Sequence, residues 1–191
     1  MTYITKKYDE AFVNKNSVRT NYKKLINWFK NQDNNELRKK NSDAMKFFEN
    51  TGVSFKVYSS DKKENLIPFD IIPRIINSKE WDKLVKGITQ RVLAINFFLT
   101  DIYGQQEIIK HGVIPVDLIQ NNTAFLKQMI GFTPPNKTYN HISGIDLIKT
   151  NSDNFYVLED NVRVPSGASY MIENRDTMIK LFPELISRYK V

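Results

Sequence analysis

The chain has 191 residues, 41% of them hydrophobic and 26% charged, with 7 Gly and 7 Pro, which is the composition of a globular protein large enough for a core of its own. It has no cysteine, which excludes disulfides, thiolate zinc sites and cysteine nucleophiles, and two histidines, His111 and His141, are too few for a histidine-based metal site. The net charge of +7 raises a nucleic-acid reading, but the lysines are spread among Asn, Asp and Glu and come with no zinc-finger or aromatic RNA-binding signature. No apolar run reaches the roughly 18–20 residues of a membrane span, and the N-terminal MTYITKKYDEAF lacks the apolar core of a signal peptide. A cytoplasmic protein is therefore expected, with residues 1–15 as a polar N-terminal segment and 16–191 as a single domain.

In chain order, Ser17 is placed to cap a helix whose apolar positions Tyr22, Leu25, Ile26 and Phe29 recur at helical spacing. Residues 31–35 break it. A second helix is expected over 36–50, with Leu37, Met45, Phe47 and Phe48 inward and Thr51-Gly52 as its stop. Residues 53–58 alternate as a strand, 59–65 form a polar turn, and 66–70 return, with Pro68 marking an edge or irregular position. Arg74 follows in an apolar connection, where it either meets an acidic residue of the fold or faces an anionic substrate. The longest helix is expected over 79–103, capped by Ser78 and stopped by Gly104. Trp81, Leu84, Val85, Ile88, Val92, Ile95, Leu99 and Ile102 form its apolar stripe, and Gln90, Arg91 and Asn96 fall away from it.

A short helix over 105–111 should stop at Gly112, leaving His111 at the surface or as a C-terminal cap. Pro115 fits the first turn of another, and Asn122 or Thr123 is placed to cap the next. Residues 129–137, with Gly131, Pro134 and Pro135, are loop chemistry. Tyr139 and His141 then lead into residues 141–167, HISGIDLIKTNSDNFYVLEDNVRVPSG, around which the chain is organised. A closing helix is expected near 175–180.

Within that stretch, Ile145, Leu147 and Ile148 on one arm and Phe155 through Leu158 on the other suit a pleated sheet, with Asn151, Ser152, Asp153 and Asn154 as the turn. If those four residues form the loop, Thr150 pairs with Phe155 and Asp146 comes opposite Glu159. Two carboxylates directly opposite repel each other unless one is protonated or a cation lies between them. Alternation puts Glu159, Asn161 and Arg163 on one face and Asp160 on the other. Two readings of that face stay open: a solvated surface hairpin, or oxygen donors around a cation. Carboxylate and amide oxygens suit Mg²⁺ bound together with substrate phosphates. The Arg163 guanidinium matches phosphate oxygens, and the Ser166-Gly167 turn offers backbone N–H groups to an anion.

Walker A, GxGxxG, HExxH and GxSxG patterns are all absent, which disfavours P-loop, Rossmann, zinc-protease and α/β-hydrolase chemistry. Together, IPRII, QRVLAINFFLTDIYGQQEIIKHGVIP, HISGIDLI, FYVLEDNVRVPSG and SYMIENR resemble the circularly permuted ATP-grasp family (type 2) related to glutathionylspermidine synthase. The resemblance runs over residues 8–183. It implies an α+β fold, an antiparallel sheet with flanking helices, representing the N-terminal part of that family's fold. It also implies ATP and Mg²⁺ as cofactors, with Asp146, Glu159 and Asn161 holding the metal and Arg163, Ser166 and Gly167 near the phosphates. Arg163 would take the catalytic role of adding positive charge where negative charge develops. The implied reaction is carboxylate–amine ligation through an acyl phosphate, with the carboxylate and amine substrates unnamed. Family members continue well past residue 185, so the resemblance also implies that the rest of the nucleotide site lies elsewhere. A non-catalytic remnant, or one subunit of a split ligase completed by a second chain, is the alternative. A basic nucleic-acid-binding module is another.

Overall fold

A computed structural model describes residues 8–52, 54–56, 64–66, 69–151, 154–165 and 167–187. The chain divides into two compact units, one of 1–77, 149–154 and 166–191 and the other of 78–148 and 155–165. Each is described by itself.

In the first unit, β1 (Phe12–Asn14) and β2 (Ser17–Val18) form a small antiparallel ribbon. Ser17 is therefore a strand residue and caps no helix. A 3₁₀ turn at Thr20–Tyr22 leads into α1 (Lys23–Lys30), and Tyr22, Leu25 and Trp28 bury one face at a spacing of three. The next helix, α2 (Asn34–Thr51), starts before residue 36 because Asp33 caps it, its carboxylate accepting the Asn35 N–H at 2.6 Å. It ends as expected at Gly52, whose φ of +69° is the left-handed conformation that glycine adopts without strain. Two short strands follow, β3 (Ser54–Lys56) and β4 (Glu64–Leu66), paired antiparallel with Ser54 against Leu66 and Lys56 against Glu64. The return strand thus precedes the expected 66–70, and Pro68 lies outside the described residues.

The unit closes with two helices, numbered here in full chain order as α6 (Gly167–Leu181) and α7 (Pro183–Ile186). The closing helix was expected only near 175–180. It begins at Gly167 because nothing in 168–174 breaks a helix. Met178, Phe182 and Leu185 pack with Tyr22, Leu25 and Trp28 into the buried core. Trp28 meets the Phe182 ring edge-on at 5.7 Å. Lys40 donates to the Leu181 carbonyl at 2.7 Å and to Glu184 at 3.0 Å, satisfying an end of α6 that has no further helical partners. The Tyr22 hydroxyl accepts the Ile75 N–H at 3.0 Å and donates to Glu10, which also pairs with Arg74 at 3.0 Å. Of the two readings of Arg74, this is the structural ion pair.

The second unit is built on α3 (Ser78–Ile102). Along its stripe Leu84 and Ile102 are buried and Ile88, Val92, Ile95 and Leu99 half-buried, but Trp81 is 54% and Val85 41% exposed. The helix stops at Gly104, where a Cβ would stand 2.7 Å from the Thr100 carbonyl oxygen. Asp101 then accepts the N–H groups of Glu107 and Ile108 and so opens α4 (Glu107–Lys110), which is followed by Gly112 at φ +68°. His111 sits exposed beyond α4, its Nδ1 2.9 Å from the Glu107 carbonyl oxygen. Pro115 precedes α5 (Val116–Gln120). Asn122 caps only a turn, accepting the Ala124 N–H. The segment after it is fastened by Tyr103, which stacks on Phe125 at 5.1 Å and Tyr139 at 5.6 Å. The chain then enters β5 (Gly144–Lys149) and β6 (Phe155–Asn161).

Among the described residues, the expected antiparallel sheet is present as three separate two-stranded pairs, β1–β2, β3–β4 and β5–β6, among helices.

Candidate functional site

The hairpin of β5 and β6 forms where the sequence placed it, and its turn is closed by Thr150 donating to the Asn154 carbonyl at 3.4 Å. Its register differs from the expected one. Leu147, Phe155 and Val157 together line a groove of about 430 Å³ against Leu84, Ile88 and Ala94 of α3, so Leu147 shares a face with Val157. Pairing Thr150 with Phe155 would have put Leu147 on the opposite face from Val157. At the base of the hairpin the parity is the other one, since a Cβ built on Gly144 lies 3.6 Å from the Asn161 Cβ. The register therefore advances by one residue within β6, and its burial pattern shows where: exposure alternates from Phe155 to Leu158, then Leu158 and Glu159 are both exposed and Asp160 turns in. The side-chain alternation thus shifts by one residue between Val157 and Asp160, as at a β-bulge. Asp146 is exposed on β5 and Glu159 on β6.

Beyond the bulge, Asn161 donates to Glu159 Oε1 at 3.0 Å, so these two side chains lie on one side of the strand. Both are exposed, as is Asp146. The amide contact leaves Glu159 Oε2 and Asn161 Oδ1 without a role in that bond. Asp160 faces the opposite way, with the Arg91 Nε of α3 at 2.7 and 2.8 Å from its two carboxylate oxygens. That hydrogen bond raises the pKa of the Arg91 guanidinium, which stays charged.

The next inward group is held as well. Asn140 is buried; with its amide assigned so that both ends find partners, its nitrogen donates to the Val162 carbonyl and, at 2.9 Å, to the Ile142 carbonyl while its oxygen accepts from the Ser143 hydroxyl. Asn96 of α3 holds this loop from behind, its side-chain oxygen accepting the N–H groups of Tyr139 and Asn140 at 2.9 and 3.0 Å. Pro165 folds back over Gly144, where a Cβ would come within 2.7 Å of its own. Arg163 is exposed in the connection between Asn161 and Pro165. Ser166 lies outside the described residues, and Gly167 belongs to the other unit as the first residue of α6. His141 is exposed, and Gln90 lines the α3 groove.

Thus Glu159 and Asn161 lie on one side of β6, and Asp146 is exposed on β5. Sequence reasoning placed Arg91 and Asn96 only off the apolar stripe of α3, at a solvated face or within reach of a site, and did not weigh Asn140. No periodicity marks these three residues, because each bonds to backbone or to a residue distant in sequence. The donor set fits Mg²⁺: hard oxygens from two carboxylates and one amide, with the remaining coordination left to phosphate and water. Among the described residues there is no cluster of three or more Asp, Glu, His or Cys side chains placed to hold a metal ion.

Comparison with known proteins gives a context for this face. A family model described as a circularly permuted ATP-grasp matches residues 73–191, which include α3 and the whole hairpin. An uncharacterised protein of Synechocystis is 44% identical over 179 residues, covering 93% of this chain and 37% of its own length. An uncharacterised protein of Mycobacterium leprae is 42% identical, covering 96% of this chain and 32% of itself. A protein of Frankia casuarinae named as a putative glutamate–cysteine ligase is 32% identical, over 93% of this chain and 20% of its own length. The chain spans about a third of the length of the first two of these relatives.

Proposed function

The chain belongs to the circularly permuted ATP-grasp family, and from that premise we propose that it supplies the metal- and phosphate-facing part of an ATP-dependent carboxylate–amine ligase. The observation that carries this reading is the Asn161–Glu159 contact on the side of β6 away from Asp160, with Asp146 exposed on the paired strand β5. Asp146, Glu159 and Asn161 would hold Mg²⁺, and the ion would neutralise charge on the nucleotide phosphates. Arg163, two residues beyond Asn161, adds a permanent positive charge suited to phosphate oxygens. In the proposed reaction a substrate carboxylate attacks the γ-phosphate of ATP, ADP leaves, and an amine displaces phosphate from the acyl phosphate to form an amide. The relative named as a glutamate–cysteine ligase supports this class of reaction. The resemblance of the motifs to a family related to glutathionylspermidine synthase supports a peptide-like product.

Titration calorimetry with ATP, with and without Mg²⁺, tests the reading. Magnesium-dependent ATP binding is expected, weakened at least about tenfold by Glu159→Ala, the scale on which metal sites respond to lost ligand contacts. Unchanged affinity in that variant would remove the metal from this face. Because the chain spans about a third of its relatives' length, a second reading has support: a folded chain that binds no ATP would be one part of a site completed by further sequence or a second chain.

A further inference from the structure

We infer that Arg91 and Asn140 are positioning residues that hold β6 in its bulged register and so keep Glu159 and Asn161 on the outer face; the inference rests on the proposed metal-binding role of that face. The argument starts from the strand itself. Phe155 and Val157 face α3. Strict alternation from Val157 would turn Glu159 and Asn161 toward α3 too, and Asp160 and Val162 outward. The structure has Asp160 toward α3 and Glu159 bonded to Asn161 on the other side, and the chain is gripped from behind at Asp160 and at the Val162 carbonyl. Arg91 holds both carboxylate oxygens of Asp160. Asn140 holds the carbonyl of Val162.

The grips come from different elements, α3 and the loop before β5, and both elements are tied together by Asn96. Arg91 meets β6 at Asp160 and Asn140 meets the chain at Val162. Their effect on the outer face runs through the backbone, by fixing residues 160 and 162 so that 159 and 161 point the other way. A bulge that re-aims side chains beside a functional face is a recurrent use of this irregularity. The α3 groove is lined by Lys83, Gln90 and Arg91 as well as by Leu84, Ile88 and Val157, so in the alternative register Glu159 would take the place of Asp160 on the side of Arg91. The grip on Asp160 selects between the two registers and fixes the outer face as one geometry.

The chain has no cysteine, so a single introduced thiol reports one position. In the full chain, Glu159→Cys is expected to react quickly with a thiol reagent such as a disulfide dye. Combined with Asp160→Asn or Arg91→Met, the same thiol should react at least about threefold more slowly, while a thiol introduced by Asn154→Cys, at the exposed end of the turn, is unaffected. In the chain with Glu159 intact, Mn²⁺ affinity followed by electron paramagnetic resonance should fall about ten- to hundredfold in Arg91→Met, Asp160→Asn and Asn140→Ala, the range typical of groups that orient metal ligands. Exchanging the pair, Arg91→Asp with Asp160→Arg, should restore part of both signals. Thermal unfolding of each variant identifies any that fails to fold.

Equal thiol reactivity in folded wild-type and Asp160→Asn backgrounds would overturn the inference, as would recovery of neither signal in the exchanged pair. Slower thiol reaction in a chain that binds no Mn²⁺ would uphold the positioning role and overturn the metal reading of the face.

Discussion

Tyr22 shows how one side chain couples local chemistry to stability. Burial, together with the charge of Glu10, raises its hydroxyl pKa above the ordinary 10.0, although the Ile75 N–H pulls the other way. The folded state therefore holds that proton more tightly than the unfolded chain does. The stabilisation is fully present below about pH 10 and is lost as pH rises through the raised value. Tyr22→Phe should flatten this alkaline decline. At neutral pH it should cost about 1 kcal/mol, because the Ile75 N–H loses its acceptor. Urea unfolding at neutral pH and near pH 11 reads both effects. At this scale the sequence was informative about side chains that act through their own chemistry. Glu159 and Asn161 were legible by donor type and spacing, and their side chains bond to each other; their joint role with Asp146 is a proposal. Asn140 was not identifiable, because a buried asparagine bonding to carbonyls looks in sequence like any loop asparagine.

Among the elements, the hairpin was legible and its register was not. The arms were marked by β-branched and aromatic residues and the turn by Asn and Asp, signals that need only local information. A bulge depends on what grips the strand from outside, which for β6 means residues on α3 and in the loop at 140–143. Helix ends follow the same division. Gly52 and Gly112 stopped their helices where expected, since a left-handed residue is a local requirement. Ser17 failed as a cap because its neighbours pair as a ribbon, and Asp33 took the cap of the following helix instead. The hairpin base depends on another glycine for a different reason, the closeness of Pro165. Gly144→Val should displace that proline and destabilise the chain by about 1–3 kcal/mol, the usual cost of overpacking. Denaturant midpoints would measure it, and an unchanged midpoint would mean that the 161–165 segment moves freely.

For the whole chain, composition and family set the limits. The net charge of +7 gathers into no motif that reads nucleic acid, and no helix among the described residues is long and apolar enough to cross a membrane. The division into two units was not visible in the sequence, because the chain leaves one unit and re-enters it, with the tip of the hairpin assigned to one and its arms to the other. No linker composition marks such crossings. That division has an optical consequence. The two tryptophans fall one to each unit, Trp28 only 4% exposed within its aromatic core and Trp81 54% exposed at the start of α3. Emission from Trp28 should be blue-shifted and shielded from iodide, and that from Trp81 red-shifted and quenched. With Trp28→Phe and Trp81→Phe variants to separate the two colours, fluorescence would show whether both units melt together or one opens first.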